Sequence, residues 1–382
     1  MLCCWLPCVN YRYCHPMPKI TTPIRVVIVD DSRAMTHLLA SILRGAGDIQ
    51  VVGTAADGEE GVRLVQRLHP DLVTMDIYMP KMNGAEAVRQ IMRTHPVPII
   101  IVSTNNKPQT MDLSFQALRA GALTVISKPG LNDPKTNQNL IQTVRLMAGV
   151  PVIHHWGTVS TKTSAAPRKP SPSSNSKIQL QNLKSKIRVI GIAASTGGPS
   201  TVAAVLKDLP AEFPLPIVLV QHFSPGFASG LADWLGMQIN LRVDLATHGG
   251  TLQPGTVLLA PDDYHIQIKR AGVIELSKGP SFKGLRPSAN PLFESLAMVY
   301  GSAALGIILT GMGDDGAEGL LKLHQAGGVT IAQEEDSCVV YGMPREAVAR
   351  GAVDGSLTPQ QIGLTLEQIA CSSTKGGGGF DV

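Results

Sequence analysis

Three segments far apart in the chain carry residue types that can do covalent chemistry together. "RVIGIAASTGGPST" runs an apolar strand into Ser195 and Thr196 and then a glycine pair. "PIVLVQHFSPGF" places His222 directly after a second apolar run, and "LGIILTGMGDDGAEGL" ends a third on Met312, Asp314 and Asp315. A serine hydroxyl is a poor nucleophile at neutral pH. It needs a base such as imidazole, and the base needs a carboxylate to hold its tautomer and stabilise its charged form. Taken alone, the turn after Ser195 also fits a phosphate cradle at a helix N-terminus or a plain tight turn. A lone histidine is usually structural, and Asp-Asp-Gly is ordinarily a turn. Three such groups at three strand ends favour hydrolysis.

A second constellation lies in the first third of the chain. Asp30 and Asp31 follow one apolar run and Asp76 another, Ser103 ends a third, and Lys128 with Pro129 ends a fourth. Carboxylates gathered at strand ends repel one another unless a hard cation such as Mg²⁺ joins them. One of them can then attack a phosphoryl donor, with Lys128 and the Ser103 hydroxyl steadying the transferred oxygens.

The surrounding pattern must hold these groups in place. From 24 to 150, β-branched runs ("IRVVIV", "IQVVGTA", "DLVTMD", "VPIIIVS", "LTVIS") alternate with helical periodicities such as "RAMTHLLASILRGAG". Such runs suit parallel strands buried on both faces. A second alternation begins near 187 with "IRVIGIA", "PIVLVQ", "GTVLLAP", "YHIQIK", "GIILTG" and "GVTIAQ". The expected fold class is α/β: two doubly wound parallel-sheet domains, a flavodoxin-like one at 24–150 and a Rossmann-like one at 187–370. Ligands then sit at the carboxyl edges of the sheets, where the candidate residues cluster. The stretch 151–186 is rich in Ser, Pro and Lys and reads as a flexible linker; 1–23 reads as a disordered leader and 371–382 as a disordered tail.

Bulk properties narrow the function. The chain has 382 residues, 44% hydrophobic and 16% charged, which suits two packed domains. The net charge of +4 comes from a gap without acidic residues between Asp133 and Asp208, so it belongs to the connector and not to a nucleic-acid-binding face. No helix-turn-helix pattern follows it, and no apolar run is long enough for membrane insertion. Cys3, Cys4, Cys8 and Cys14 crowd the leader without a zinc-type partner set, and the setting reads as reducing and cytoplasmic.

With "VDDS", "MDIYMPKMNG", "VST" and "SKPG", the first half resembles the receiver domain of two-component response regulators. That resemblance implies Asp76 as the phosphorylated aspartate and Asp30, Asp31, Asp76 and the Tyr78 carbonyl as Mg²⁺ ligands. It also implies Ser103 and Lys128 as readers of the phosphate. Val125 stands where receivers often carry an aromatic residue. The second half, through "IAASTGGPST", "QHFSPGF", "LRPSANPLFESLA", "LTGMGDDGAEGL" and "AQEEDSCVVYGMPREAV", resembles the catalytic domain of the CheB family of chemotaxis protein-glutamate methylesterases. This implies Ser195 as nucleophile, His222 as general base and Asp315 as its orienting carboxylate, with Thr196 and Met312 bordering the oxyanion site and no cofactor for the ester reaction. It further implies methyl-accepting chemotaxis receptors as substrate, possible deamidation of receptor glutamines, a chemotaxis histidine kinase as phosphoryl donor, and recruitment to receptor clusters at the inner membrane. The alternative is a receiver-controlled phosphate- or nucleotide-binding or non-catalytic docking module. Asn290 stands where relatives often have Asp, and Asp314 adds a second carboxylate beside Asp315.

Overall fold

The computed structural model describes residues 22–104, 108–130, 133–150 and 187–373. The expected linker lies outside these residues, as do nearly all of the expected leader and most of the expected tail.

Five strands, β1 (Ile24–Val29), β2 (Ile49–Ala55), β3 (Leu72–Met75), β4 (Ile99–Ser103) and β5 (Thr124–Ser127), pair in parallel in the order β2-β1-β3-β4-β5. The apolar runs of β1, β3 and β4 are buried on both faces, and those of the edge strands β2 and β5 only in part, under the intervening helices α1 (Arg33–Gly45), α2 (Gly58–Leu68), α3 (Gly84–Thr94), α4 (Pro108–Arg119) and α5 (Pro134–Met147). The helix starts are written locally. Ser32, Asp57 and Asn83 each accept a backbone N–H three residues on, which supplies a first-turn donor with its missing partner. The order reverses between β1 and β3, so Asp30 and Asp76 stand at the switch point.

The second sheet has seven parallel strands in the order β14-β13-β12-β6-β7-β9-β8. They are β6 (Val189–Ala194), β7 (Ile217–Gln221), β8 (Arg242–Leu245), β9 (Thr256–Leu259), β12 (Ala304–Ile308), β13 (Val329–Gln333) and β14 (Gly355–Leu357). The central strand is β6, which points its end at the crevice between β7 and β12. The run "YHIQIK" is a strand, β10 (His265–Ile268), but it departs from the parallel reading: it pairs antiparallel with β11 (Ile274–Ser277) in a separate hairpin. Strands β8, β11 and β14 are only three or four residues long and carry little apolar patterning of their own. Six helices cover the sheet: α6 (Gly198–Leu206), α7 (Ala228–Gly236), α8 (Ala289–Val299), α9 (Ala317–Gln325), α10 (Met343–Ala349) and α11 (Pro359–Ser373). Helix α11 runs three residues into the segment expected as tail, since Ile362, Leu366 and Ile369 bury one side of it.

The two α/β units touch through aromatic side chains. Phe115 of α4 stacks on Trp234 of α7, with ring centres 5.6 Å apart, and meets Phe223 edge-on at 6.2 Å. The Ser127 N–H, at the end of β5, donates to Ser224 Oγ at 3.3 Å.

Helices α8 and α9 approach closely where Gly319 faces Asn290. A Cβ at Gly319 would lie 2.6 Å from the Asn290 carbonyl oxygen and 2.9 Å from its Cα, so the backbone of α8 would have to move. Gly319→Ala should therefore lower stability by about 1–3 kcal/mol, read as a fall in the urea midpoint of the intact chain.

Candidate active site and phosphoacceptor pocket

Register places the first pair. Ala194 of β6 pairs with Gln221 of β7, so Ser195 and His222 are the next residues of adjacent strands. The His222 N–H donates to the Ala194 carbonyl at 2.9 Å and the Ser195 N–H to the Thr310 carbonyl at 3.0 Å, fastening Ser195 between β7 and β12. Gln221 Nε2 donates both to the Ser195 carbonyl at 2.7 Å and to the His222 carbonyl at 3.0 Å.

His222 Nε2 lies 2.8 Å from Asp315 Oδ2, with the two side chains 7% and 1% exposed. The carboxylate stands off the line of the ring N–H. Asp315 also accepts the Ser288 hydroxyl at 2.6 Å, the Ala289 N–H at 2.7 Å and Asn290 Nδ2 at 3.0 Å. Burial pushes its carboxyl up, but the contacts with His222, Ser288 and Ala289 outweigh that and hold it below the ordinary carboxylate range. Ser288 caps α8 and Ala289 is its first residue, so the helix dipole also favours the charge.

The neighbouring Asp314 is turned away and engaged by Lys283 at 2.6 Å and Arg350 at 3.6 Å. The two adjacent carboxylates are thus separated by their partners. Asn290 is explained as well: its Nδ2 donates to Asp315 while its Oδ1 accepts the Gly319 N–H at 2.8 Å.

The two glycines after Ser195 are required by packing. A Cβ on Gly197 would strike Val339 at 2.5 Å, one on Gly198 would strike Gln221 Oε1 at 2.1 Å, and Gly197 takes a left-handed φ of 75°. The Gly198 N–H, at the head of α6, is also committed to the Ser195 carbonyl at 2.8 Å. Thr196 is half-buried and its carbonyl accepts Thr310 Oγ1 at 3.0 Å, while Met312 is 40% exposed at the rim.

Sequence reasoning missed Gln221, Ser288, Thr310 and Gln333. Thr310 accepts the Val340 N–H at 2.9 Å and donates its own N–H to Gln333 Oε1 at 2.7 Å, joining the loops after β6, β12 and β13. The available signal was a polar residue closing each apolar run: "VLVQ", "IILT" and "TIAQ".

In the first domain, Asp30, Asp31 and Asp76 each offer an oxygen within 4.8 Å of the others, a hard-oxygen set that fits a divalent cation. Lys128 Nζ lies 2.8 Å from Asp30 Oδ2 and 2.7 Å from Asp76 Oδ2, and the Ile77 N–H donates to Asp76 Oδ1 at 2.7 Å. Ser103 Oγ is buried and has no hydrogen-bond partner among the described residues, as fits a group that meets a ligand oxygen. Tyr78 is 62% exposed, and Val125 lies buried in β5. Burial tends to lower the Lys128 pKa, but its bonds to Asp30 and Asp76 leave it above the ordinary lysine value.

Two parallel sheets, one with an acidic pocket and one with Ser, His and Asp at its carboxyl edge, define a receiver joined to a serine-hydrolase-like domain. Residues 190–366 match the family model described as CheB methylesterase, and 26–141 match the response regulator receiver domain. The protein-glutamate methylesterase/protein-glutamine glutaminase 4 of Geobacter metallireducens is 41% identical over 353 residues, 91% of this chain and 99% of that protein. The Myxococcus xanthus protein of the same name is 42% identical over 364 residues, 94% of this chain and 99% of its own length. The crystal structure of the Thermotoga maritima CheB methylesterase catalytic domain covers 47% of this chain and 97% of its own at 37% identity, with a TM-score of 0.46. The chain belongs to the CheB methylesterase family and carries a response regulator receiver domain.

Burial holds the Asp76 carboxyl above its ordinary value, with the Lys128 hydrogen bond opposing. Between those two values the folded chain keeps a proton that the unfolded chain has released, so stability falls as pH rises through that window. Asp76→Asn, neutral throughout, should be more stable than the parent at pH 7. The advantage should vanish below about pH 4, as urea melts at the two pH values would show.

Proposed function

We propose that this chain is a phosphorylation-activated methylesterase that hydrolyses glutamate methyl esters on methyl-accepting chemotaxis receptors. The observation that carries the reading is His222 Nε2 at 2.8 Å from Asp315, with Ser195 at the adjoining strand end. One ring nitrogen faces the carboxylate, which leaves Nδ1 to serve the serine. His222 takes the Ser195 proton as Oγ attacks the ester carbonyl, and returns it to the departing methoxide, giving an acyl-enzyme and methanol. Water, activated by the same imidazole, then releases the glutamate carboxylate and restores Ser195. Asp315 stays ionised and stabilises the imidazolium. Thr196 and Met312 border the place where the oxyanion forms. Relatives are also named protein-glutamine glutaminase, and an amide would pass through the same tetrahedral intermediate with a poorer leaving group.

In the receiver, Asp76 is the phosphoacceptor and a chemotaxis histidine kinase the donor. Asp30, Asp31, Asp76 and the Tyr78 carbonyl would hold Mg²⁺, which when bound neutralises the phosphoryl oxygens. Ser103 and Lys128 hold the transferred group. The contact with the esterase supports regulation. Ser224, two residues after His222, accepts the Ser127 N–H, and Val340, bonded to Thr310, packs against the receiver cluster of Ile126 and Leu140. New charge on Asp76 would reach Lys128 and then this contact. The enzyme would work in the cytoplasm at receptor clusters. Among the described residues no helix is long and apolar enough to cross a membrane.

Methanol release from methylated receptor membranes tests the reading. Ser195→Ala should reduce turnover roughly a thousandfold or more; full hydrolysis by that variant would exclude the mechanism. Acetyl phosphate with Mg²⁺ should raise the rate of the parent enzyme, and Asp76→Asn should abolish the response.

A further inference from the structure

The donors around Asp315 are themselves held from behind. His265, which opens β10 and is 5% exposed, accepts the Ser288 N–H on Nδ1 at 3.1 Å, and its Nε2 faces the Pro280 carbonyl at 3.1 Å. Only the neutral tautomer with its proton on Nε2 satisfies both contacts. Ser288 is fully buried, and its hydroxyl is the shortest contact of Asp315. The cleft beside His265 also carries Glu294 and Glu318, but both are engaged by Lys322, at 2.7 and 3.5 Å. Arg286, which steadies the 278–280 loop through the Lys278 and Gly279 carbonyls, is paired with Asp263. Among the described residues the imidazole therefore has backbone partners and no charged one, and one of those partners belongs to the residue that grips Asp315.

We propose that His265 is a positioning residue of the esterase: it holds Ser288 so that the hydroxyl and the adjoining Ala289 N–H meet Asp315, and thereby sets the approach of Asp315 to His222. The proposal rests on the reading of Asp315 as the carboxylate of the triad. A hydrogen bond two steps from the imidazole matters here because Asp315 is out of water, so nothing replaces a donor that drifts away. The effect falls on the chemical step and leaves substrate binding alone, since His265 lies behind the triad and touches no reacting atom.

The experiment uses the full chain activated with acetyl phosphate and Mg²⁺, and measures methanol release together with the urea midpoint. His265→Leu should lower kcat about tenfold with KM unchanged. His265→Asn, which keeps an acceptor at the δ position, should recover most of the loss. Combining His265→Leu with Ser288→Ala should cost no more than the larger single change, because both act through the same donors. Equal kcat in the Leu variant overturns the proposal. So does a loss that Asn fails to rescue, or one that merely tracks the fraction of chain folded. Asp315→Ala separates the two levels. If it retains full turnover, the triad reading falls and the proposal with it; if it is inactive while His265→Leu is normal, only the role of His265 falls.

Discussion

A charge taken out of water must be met by donors in the protein, and leaving one unmatched costs several kcal/mol. Asp315, at 1% exposure, meets this condition with a hydroxyl, a backbone N–H and a carboxamide, and has an imidazole at its remaining edge. Much of the second domain is arranged around that requirement. Helix α8 must begin where β12 ends, so that its cap and first N–H converge on the carboxylate. Helix α9 must lie against α8 closely enough to need a glycine at 319. The β10–β11 hairpin, which contributes nothing to the main sheet, supplies the histidine behind the cap.

The receiver meets the same constraint differently. Asp30 and Asp76 are almost as buried as Asp315, but a single lysine bridges them in place of a set of neutral donors. A positive charge suits that pocket, because two buried carboxylates and a third close by gather more negative charge than neutral donors can offset. Neutral donors hold Asp315 charged and fixed in place beside its imidazole. One kind of sheet edge thus gives a pocket that responds to charge and a second that resists it.

Contact between the halves is both apolar and local. The Phe115–Trp234 stack joins α4 to α7, while Ser127, adjoining Lys128, reaches Ser224, two residues from His222. Aromatic rings resting face to face can separate without leaving charges stranded, so such a contact costs little to break and remake.

Much of this was legible without coordinates. Apolar runs of four to seven residues, each closed by a polar or small residue, marked the strands of the first sheet and the larger strands of the second, and thereby the carboxyl edges where Asp30, Asp76, Ser103, Lys128, Ser195 and His222 stand. That information is local, since a strand's burial is written in its own residues and its end in the next one. The identities of Gln221, Thr310, Ser288, Asn290 and His265 were equally plain in the sequence, but their partners were not. Asp315 draws on residues 25 to 27 positions away, and Thr310 meets Thr196 across 114. Hydrogen bonds over such separations follow from strand order and helix packing, which no short window encodes. Only the tertiary structure decided what turns Asp314 away from the imidazole, why the paired glycines are glycines, and what keeps a buried charge satisfied.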